Sequence, residues 1–206
     1  MNTADSQIIE HLRSMGLMVD IYDDEPANRP TAARIAAGHS LVLASSTVLS
    51  SEIAGEFRYQ AVPFIYWESS LNWNGREGLA DGSGTDSLTQ VNVVDNTHPV
   101  MEGIPLGPVT LTTASADFSR STGPVAPGVQ VLATHVSDAG KRTMMVADPG
   151  PALLDGGVAE GKRIFLYLYD DTWIKANEMG KKIFNNAVAY GLGPLAVEFT
   201  ADRTLG

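Results

Sequence analysis

The sequence predicts an α/β sandwich whose central sheet is largely parallel and becomes mixed in its second half. Three observations carry that prediction. Ala61 to Ser70, AVPFIYWESS, places Val62, Phe64, Ile65, Tyr66 and Trp67 with no polar face before stopping on Glu68, the pattern of a parallel strand buried on both sides. The first 68 residues alternate helix and strand, which implies crossover connections and parallel pairing. Beyond Leu88, strand patterns follow one another, and the polar turn Ser137 to Lys141 joins Val129–Thr134 to Thr143–Ala147 as a hairpin.

The elements follow in order. A first helix, capped at Thr3 or Asp5, carries Ile8, Ile9, Leu12 and Met15 on one face and ends at Gly16. Leu17–Tyr22 is a short strand closed by the acidic turn Asp23-Asp24-Glu25-Pro26, and Pro30–Gly38 is a short helix. Ser40–Ala44 is a buried strand, after which Ser45, Ser46 and Thr47 cap a helical stretch reaching Phe57. After the strand at 61–67, Leu71–Ser87 holds Gly75, Gly78, Gly82 and Gly84 without apolar periodicity and reads as a long loop over the crevice of the sheet.

Leu88–Val94 is a strand, His98–Ile104 a compact turn, and Val109–Thr113 a further strand. Lys162–Tyr169 is another solid apolar strand, and Asp170, Asp171 and Thr172 cap a last helix. That helix aligns Ala176, Gly180, Ile183, Phe184, Ala187 and Val188 before Gly191 stops it. The chain opens on a helix where a doubly wound domain opens on a strand, so a central strand position is left without an occupant. Residues 1–193 form one α/β domain. Residues 194–206 are a tail in which Leu195, Val197 and Phe199 alternate with Ala196, Glu198 and Thr200, either a strand that inserts in the sheet or the stub of a following domain.

Composition narrows the function classes. A net charge of -10 opposes phosphate backbones and anionic lipid surfaces, so nucleic acid and membrane are not expected as partners. The absence of cysteine removes thiolate catalysis, disulfides and cysteine-ligated metal sites together. No apolar run approaches the roughly 20 residues of a membrane span, and the start MNTADSQ lacks signal-peptide character. The absence of cysteine leaves the compartment open, export included, since an exported protein can do without disulfides as a cytosolic one can.

Several segments together resemble a known family: the helix and short strand of Asp5–Tyr22, SLVLASS at 40–46, VPFIYWE at 62–68, HPVMEGI at 98–104, and RIFLYLYDD leading to NAVAYGLG. In this order and spacing they look like the class I glutamine amidotransferase-like superfamily, closest to its trehalose-utilisation (ThuA-like) branch. The resemblance covers about residues 4 to 193 and implies a flavodoxin-like three-layer sandwich. It departs from working amidotransferases where the chemistry lies. Their nucleophilic cysteine and following glycine are replaced by Glu68, Ser69 and Ser70, and Tyr169-Asp170-Asp171 stands near the place of their His-x-Glu pair. Glutaminase activity is therefore not expected. The tail PLAVEFTADRTLG also resembles the opening strand of polycystic-kidney-disease-type immunoglobulin-like repeats.

The candidate site gathers at the carboxyl end of the buried strands, where open α/β sheets bind ligands. Glu68 serves there either as an acid, base or ligand group, or as a carboxylate that accepts backbone amides and orders the loop. Ser45 and Ser46 suit an anion-binding turn, although such residues are more often caps. Ser69 or Ser70 would need a nearby histidine to act as a nucleophile. His98 is the histidine best placed for catalysis with Glu68, yet a His-Pro turn is usually structural. His11, His39 and His135 have no metal-ligand spacing, so no metal and no cofactor are expected. Asp170 and Asp171 end a strand at the same edge as Glu68, and the three carboxylates together suit a divalent cation or sugar hydroxyls, while helix capping by Asp171 and solvation of Asp170 are the commoner roles. Trp73 is a candidate sugar platform, whereas Trp67 and Trp173 read as core.

The first functional expectation is a non-catalytic amidotransferase-like module with a structural or small-ligand role, carbohydrate included, in a larger protein. The alternative is a sugar-metabolism enzyme of the trehalose-utilisation-like type using Glu68 with His98 or Asp170, and a metal-dependent hydrolase ranks below both. Strand exchange through the tail would also permit a homo-oligomer.

Overall fold

The computed structural model describes residues 2–193; the tail, and with it the expected extra strand or stub, lies outside the described residues. The helices are α1 (Thr3–Ser14), α2 (Ala32–Gly38), α3 (Ser50–Ile53), α4 (Thr172–Lys175) and α5 (Glu178–Leu192). The strands are β1 (Val42–Ala44), β2 (Phe64–Tyr66), β3 (Gly84–Leu88), β4 (Gln90–Val93), β5 (Gly107–Thr110), β6 (Ala116–Arg120), β7 (Gln130–His135), β8 (Asp138–Ala147) and β9 (Arg163–Phe165).

Seven strands form one mixed sheet in the order β1-β2-β9-β8-β7-β4-β5, and β3 pairs with β6 in a separate antiparallel ribbon. Only β1, β2 and β9 run parallel, with Ile65 opposite both Leu43 and Ile164. The remaining four neighbours pair antiparallel, so the expectation of a largely parallel sheet is corrected. The reason is local, because the tight β7–β8 connection can only return a strand antiparallel, and β8 then sets β9 on its far side.

Strand alternation sends the central side chains into two layers. Ile65, Trp67, Ile164 and Leu166 face a core shared with α1, α4 and α5, where Trp67 and Trp173 pack on Phe184, as core residues should. Phe64, Tyr66, Phe165 and Met145 face a second core with α2 and α3. Filling each such site with a large apolar side chain stabilises the fold by about 1.5–3 kcal/mol.

Several local expectations change. The cap of α1 is Asn2, which accepts from the Asp5 amide at 2.8 Å while the Asp5 carboxylate accepts in return from the Asn2 amide, a reciprocal capping box. Leu17–Tyr22 joins no strand ladder, with Leu17 and Val19 against the core and Met18 fully exposed. The helix expected to reach Phe57 is cut to α3, since Ala54 adopts φ +45° and ends it. The last helix splits into α4 and α5, because Asn177 caps a new start by accepting from the Met179 and Gly180 amides. It then passes Gly191, which is packed on Leu41 and Ile65, and ends at Gly193 with φ +70°.

The glycine-rich segment is also not a loose loop. Leu71, Asn72, Glu77, Leu79 and Ala80 are all buried, and Gly84 already begins β3. Two buried polar contacts hold it: the Tyr66 hydroxyl donates to Asn72, and Glu77 pairs with Arg163.

Candidate functional site

The carboxyl ends of β1, β2 and β9 deliver Ser45, Ser46, Glu68, Ser69, Tyr169 and Asp170 to one edge. Glu68 caps the following 3-10 turn, its Oε1 accepting from the Ser70 amide at 2.9 Å. This is the loop-ordering role. Ser69 is buried, and its hydroxyl accepts from the Gly84 amide at 3.3 Å, so it anchors the start of β3. The Ser70 hydroxyl donates to Ser83. Among the described residues no histidine is hydrogen-bonded to Ser69 or Ser70, which leaves neither with a base.

Ser45 closes its own turn, accepting from the Thr47 amide at 3.0 Å, and Ser46 donates to Asp170 at 2.9 Å. Asp171 occupies the cap position of α4, but its carboxylate makes no cap bond and pairs instead with Lys175 at 2.6 Å. That corrects the expected capping role; Thr172 supplies the local bond, accepting from the Tyr169 amide and donating to the Asp117 carbonyl. Trp73 is 38% exposed beside the edge, with the Arg76 guanidinium 4.8 Å from its ring centre.

Sequence reasoning missed the residues at the centre of this edge. Tyr169 is one: burial, and then the charges of Asp170, Glu68 and Asp117, hold its phenol above the ordinary range. The negative charge of these carboxylates opposes loss of the phenol proton. Ser119 on β6 is the other. Its amide donates to the Tyr167 carbonyl at 2.8 Å and its hydroxyl to the Trp67 carbonyl at 2.7 Å. Strand β6 therefore crosses the ends of β2 and β9, and Ser119 is itself fully buried. The only available signal was the pattern Ala116-Asp117-Phe118-Ser119, too short and too polar to separate from a turn.

His98 lies elsewhere. It starts the turn before Pro99, where its Nδ1 accepts from the Val100 amide at 3.2 Å. Its ring meets Tyr190 edge-on at 4.5 Å, and Tyr190 at the end of α5 accepts from Lys162, the residue that enters β9. His98 thus sits at the amino ends of the parallel strands and Glu68 at their carboxyl ends. The expected pairing of the two for acid–base work is corrected: the sheet separates them. Burial holds the His98 ring below its ordinary value, and the charges of Asp148 and Asp95 only partly oppose this.

Among the described residues no three histidine, aspartate or glutamate side chains are grouped to hold a metal ion. No helix there is long and apolar enough to cross a membrane.

No family model matches the chain, and no curated protein matches it. A cytoplasmic protein from Salmonella typhimurium of solved structure is similar in fold, with a TM-score of 0.55 at 10% identity, over 88% of this chain and 84% of that one. At that identity the likeness extends to the α/β fold alone.

Proposed function

We propose that this chain is a non-catalytic module of the glutamine amidotransferase-like, ThuA-like type, flavodoxin-like in ancestry of fold, which serves a structural or small-ligand role in a larger protein. The observation that carries this reading is Ser119. By bonding the Trp67 and Tyr167 carbonyls, it puts protein where the crevice of an open α/β sheet would admit a substrate. Glu68 supports the same reading, because its carboxylate is engaged by the turn it caps. The sugar-enzyme alternative is weakened by the distance in topology between Glu68 and His98, which leaves Glu68 without the partner it needed.

A small ligand, carbohydrate among them, would have to bind at the rim, where Trp73 offers an exposed ring. The test incubates the purified chain with glutamine and, separately, with trehalose and related disaccharides, following ammonia and reducing sugar. Release no greater than a buffer blank is expected with every substrate. Turnover that disappears in Glu68→Gln would overturn the non-catalytic reading.

A further inference from the structure

Trp73-Asn74-Gly75-Arg76 is a tight surface turn, closed by the Arg76 amide, which donates to the Trp73 carbonyl at 2.9 Å. Gly75 stands at its third position with φ +82°, a conformation that favours glycine. Both sides of the turn are anchored. The Asn74 amide donates to Asp81 Oδ1 at 3.0 Å, the Gly78 amide donates to the Trp73 carbonyl at 3.1 Å, and Arg76 Nη1 donates to Ser50 Oγ and to the Ser70 carbonyl. Between these anchors two groups are left over. Among the described residues neither the Asn74 side chain nor the Gly75 amide makes a hydrogen bond, and both residues are exposed. A Cβ built on Gly75 would meet nothing within 4 Å, so the turn is open to solvent there. Every other asparagine of the chain is followed by a residue whose side chain hinders approach to its backbone nitrogen, and Asn74 alone is followed by glycine.

We propose that Asn74-Gly75 is a site of self-modification, at which Asn74 is converted in water to aspartate and isoaspartate; asparagine is among the chemically labile side chains. The Gly75 nitrogen, its proton taken by hydroxide, attacks Asn74 Cγ. The new N–Cγ bond forms as the Cγ–Nδ2 bond breaks, and Nδ2 takes a proton from water and leaves as ammonia. Water then opens the cyclic imide. Breaking the bond from the Gly75 nitrogen to Cγ yields aspartate; breaking its bond to the Asn74 backbone carbonyl carbon yields isoaspartate, with the chain running through Cβ and Cγ. Either product sets a new carboxylate two residues from Arg76, whose guanidinium lies 4.8 Å from the Trp73 ring centre. Isoaspartate also adds a backbone atom inside the turn, so the Arg76 amide and the Trp73 carbonyl no longer meet in the same register. The modification therefore loosens Trp73, the exposed ring at the rim of the sheet.

The test ages the purified full chain at mildly alkaline pH beside a free peptide spanning Trp73–Glu77, and follows both by peptide mass and by methyl transfer from an isoaspartate-specific methyltransferase. Exposed turns open at little cost, so Asn74 in the protein is expected to convert within about tenfold of the peptide's rate, with isoaspartate among the products. The Arg76 amide of the converted chain should exchange its hydrogen at least about tenfold faster than before. Asn74→Gln, whose longer side chain closes a larger ring far more slowly, should stay unconverted, and it should fold normally because the Asn74 side chain holds nothing. Conversion of Asn74 slower than the tenfold limit, or aspartate formed with no isoaspartate, would overturn the proposal. Arg76 exchange left unchanged by conversion would overturn the loosening of Trp73.

Discussion

Arg163 Nε donates to Glu77 Oε2 at 2.9 Å, and neither side chain has any exposed surface. The remaining nitrogens of Arg163 reach the carbonyls of Phe57, Arg58, Gln60, Val62 and Lys162. The Arg58, Gln60 and Val62 carbonyls lie in the turn that feeds β2 and take no backbone amide, so unpaired inside the protein they would each destabilise it. Arg163 satisfies them, and Glu77 balances the charge that Arg163 brings in. This is why the glycine-rich segment is packed down.

Removing one member of a buried pair strands the other, so Glu77→Ala should destabilise the protein by about 3–5 kcal/mol, seen as a lower midpoint in urea. Glu77→Gln, which keeps an acceptor for Arg163, should cost clearly less.

The same pair has a pH signature. Burial raises the Glu77 carboxyl from the ordinary 4.5 to about 7, against the pull of Arg163 and Arg58. A carboxyl raised in the fold holds its proton more tightly there than in the unfolded chain. Its contribution is therefore complete below about pH 4.5 and declines as pH rises through about 7. The stability difference between the unmodified protein and Glu77→Gln should change across that window, measured by urea unfolding at each pH.

His98 works with the opposite sign. Its ring is held below the ordinary value by burial, so the unfolded chain binds the proton more readily. The contribution is present above about pH 6.5 and is lost as pH falls through the lowered folded value. His98→Asn can still accept from the Val100 amide, and its stability should be flatter than that of the unmodified protein below pH 6.5.

How far the sequence was legible follows from which contacts are local. The apolar run at 62–67, the β7–β8 hairpin, the α5 stripe and the His98 turn were all readable, because each is set by periodicity or by neighbours in the chain. Leu17–Tyr22 alternates like a strand, but pairing depends on a neighbour that its own residues cannot specify. Glu77 sat in a glycine-rich, polar stretch, and its burial depends on Arg163, 86 positions away. Following strand ends puts Glu68 and Asp170 at one edge, and the bond from Ser46 to Asp170 there could not be read from spacing. Ser119 is not placed there, since β6 reaches that edge by a long-range crossing that leaves no periodic trace.

A glycine on α5 provides a prediction in which two effects compete. Alanine favours a helix interior over glycine by about 1 kcal/mol. At Gly180, however, a Cβ would lie 2.6 Å from the Leu111 carbonyl and 2.5 Å from the Tyr167 hydroxyl. The backbone contact cannot swing away, so Gly180→Ala should lose about 1–3 kcal/mol in spite of the better propensity, read as a lower Tm.

Glu68 tests the loop-ordering role directly. As the cap of the turn after β2, its loss in Glu68→Ala should cost about 0.5–2 kcal/mol, with Glu68→Gln recovering most of it. A melting temperature raised by Glu68→Ala would instead mark a carboxylate kept at the expense of stability, as functional groups are.

The claim that protein fills the carboxyl edge of the sheet is tested most directly at the Ser119 amide, whose bond to the Tyr167 carbonyl spans the place where a substrate would enter. Hydrogen exchange at that amide should match the slowest amides of β8 and β9, which open only with the whole fold. Exchange at Ser119 as fast as in the exposed turns, while β8 and β9 stay protected, would mean that β6 lifts away to open a crevice, and would contradict the account.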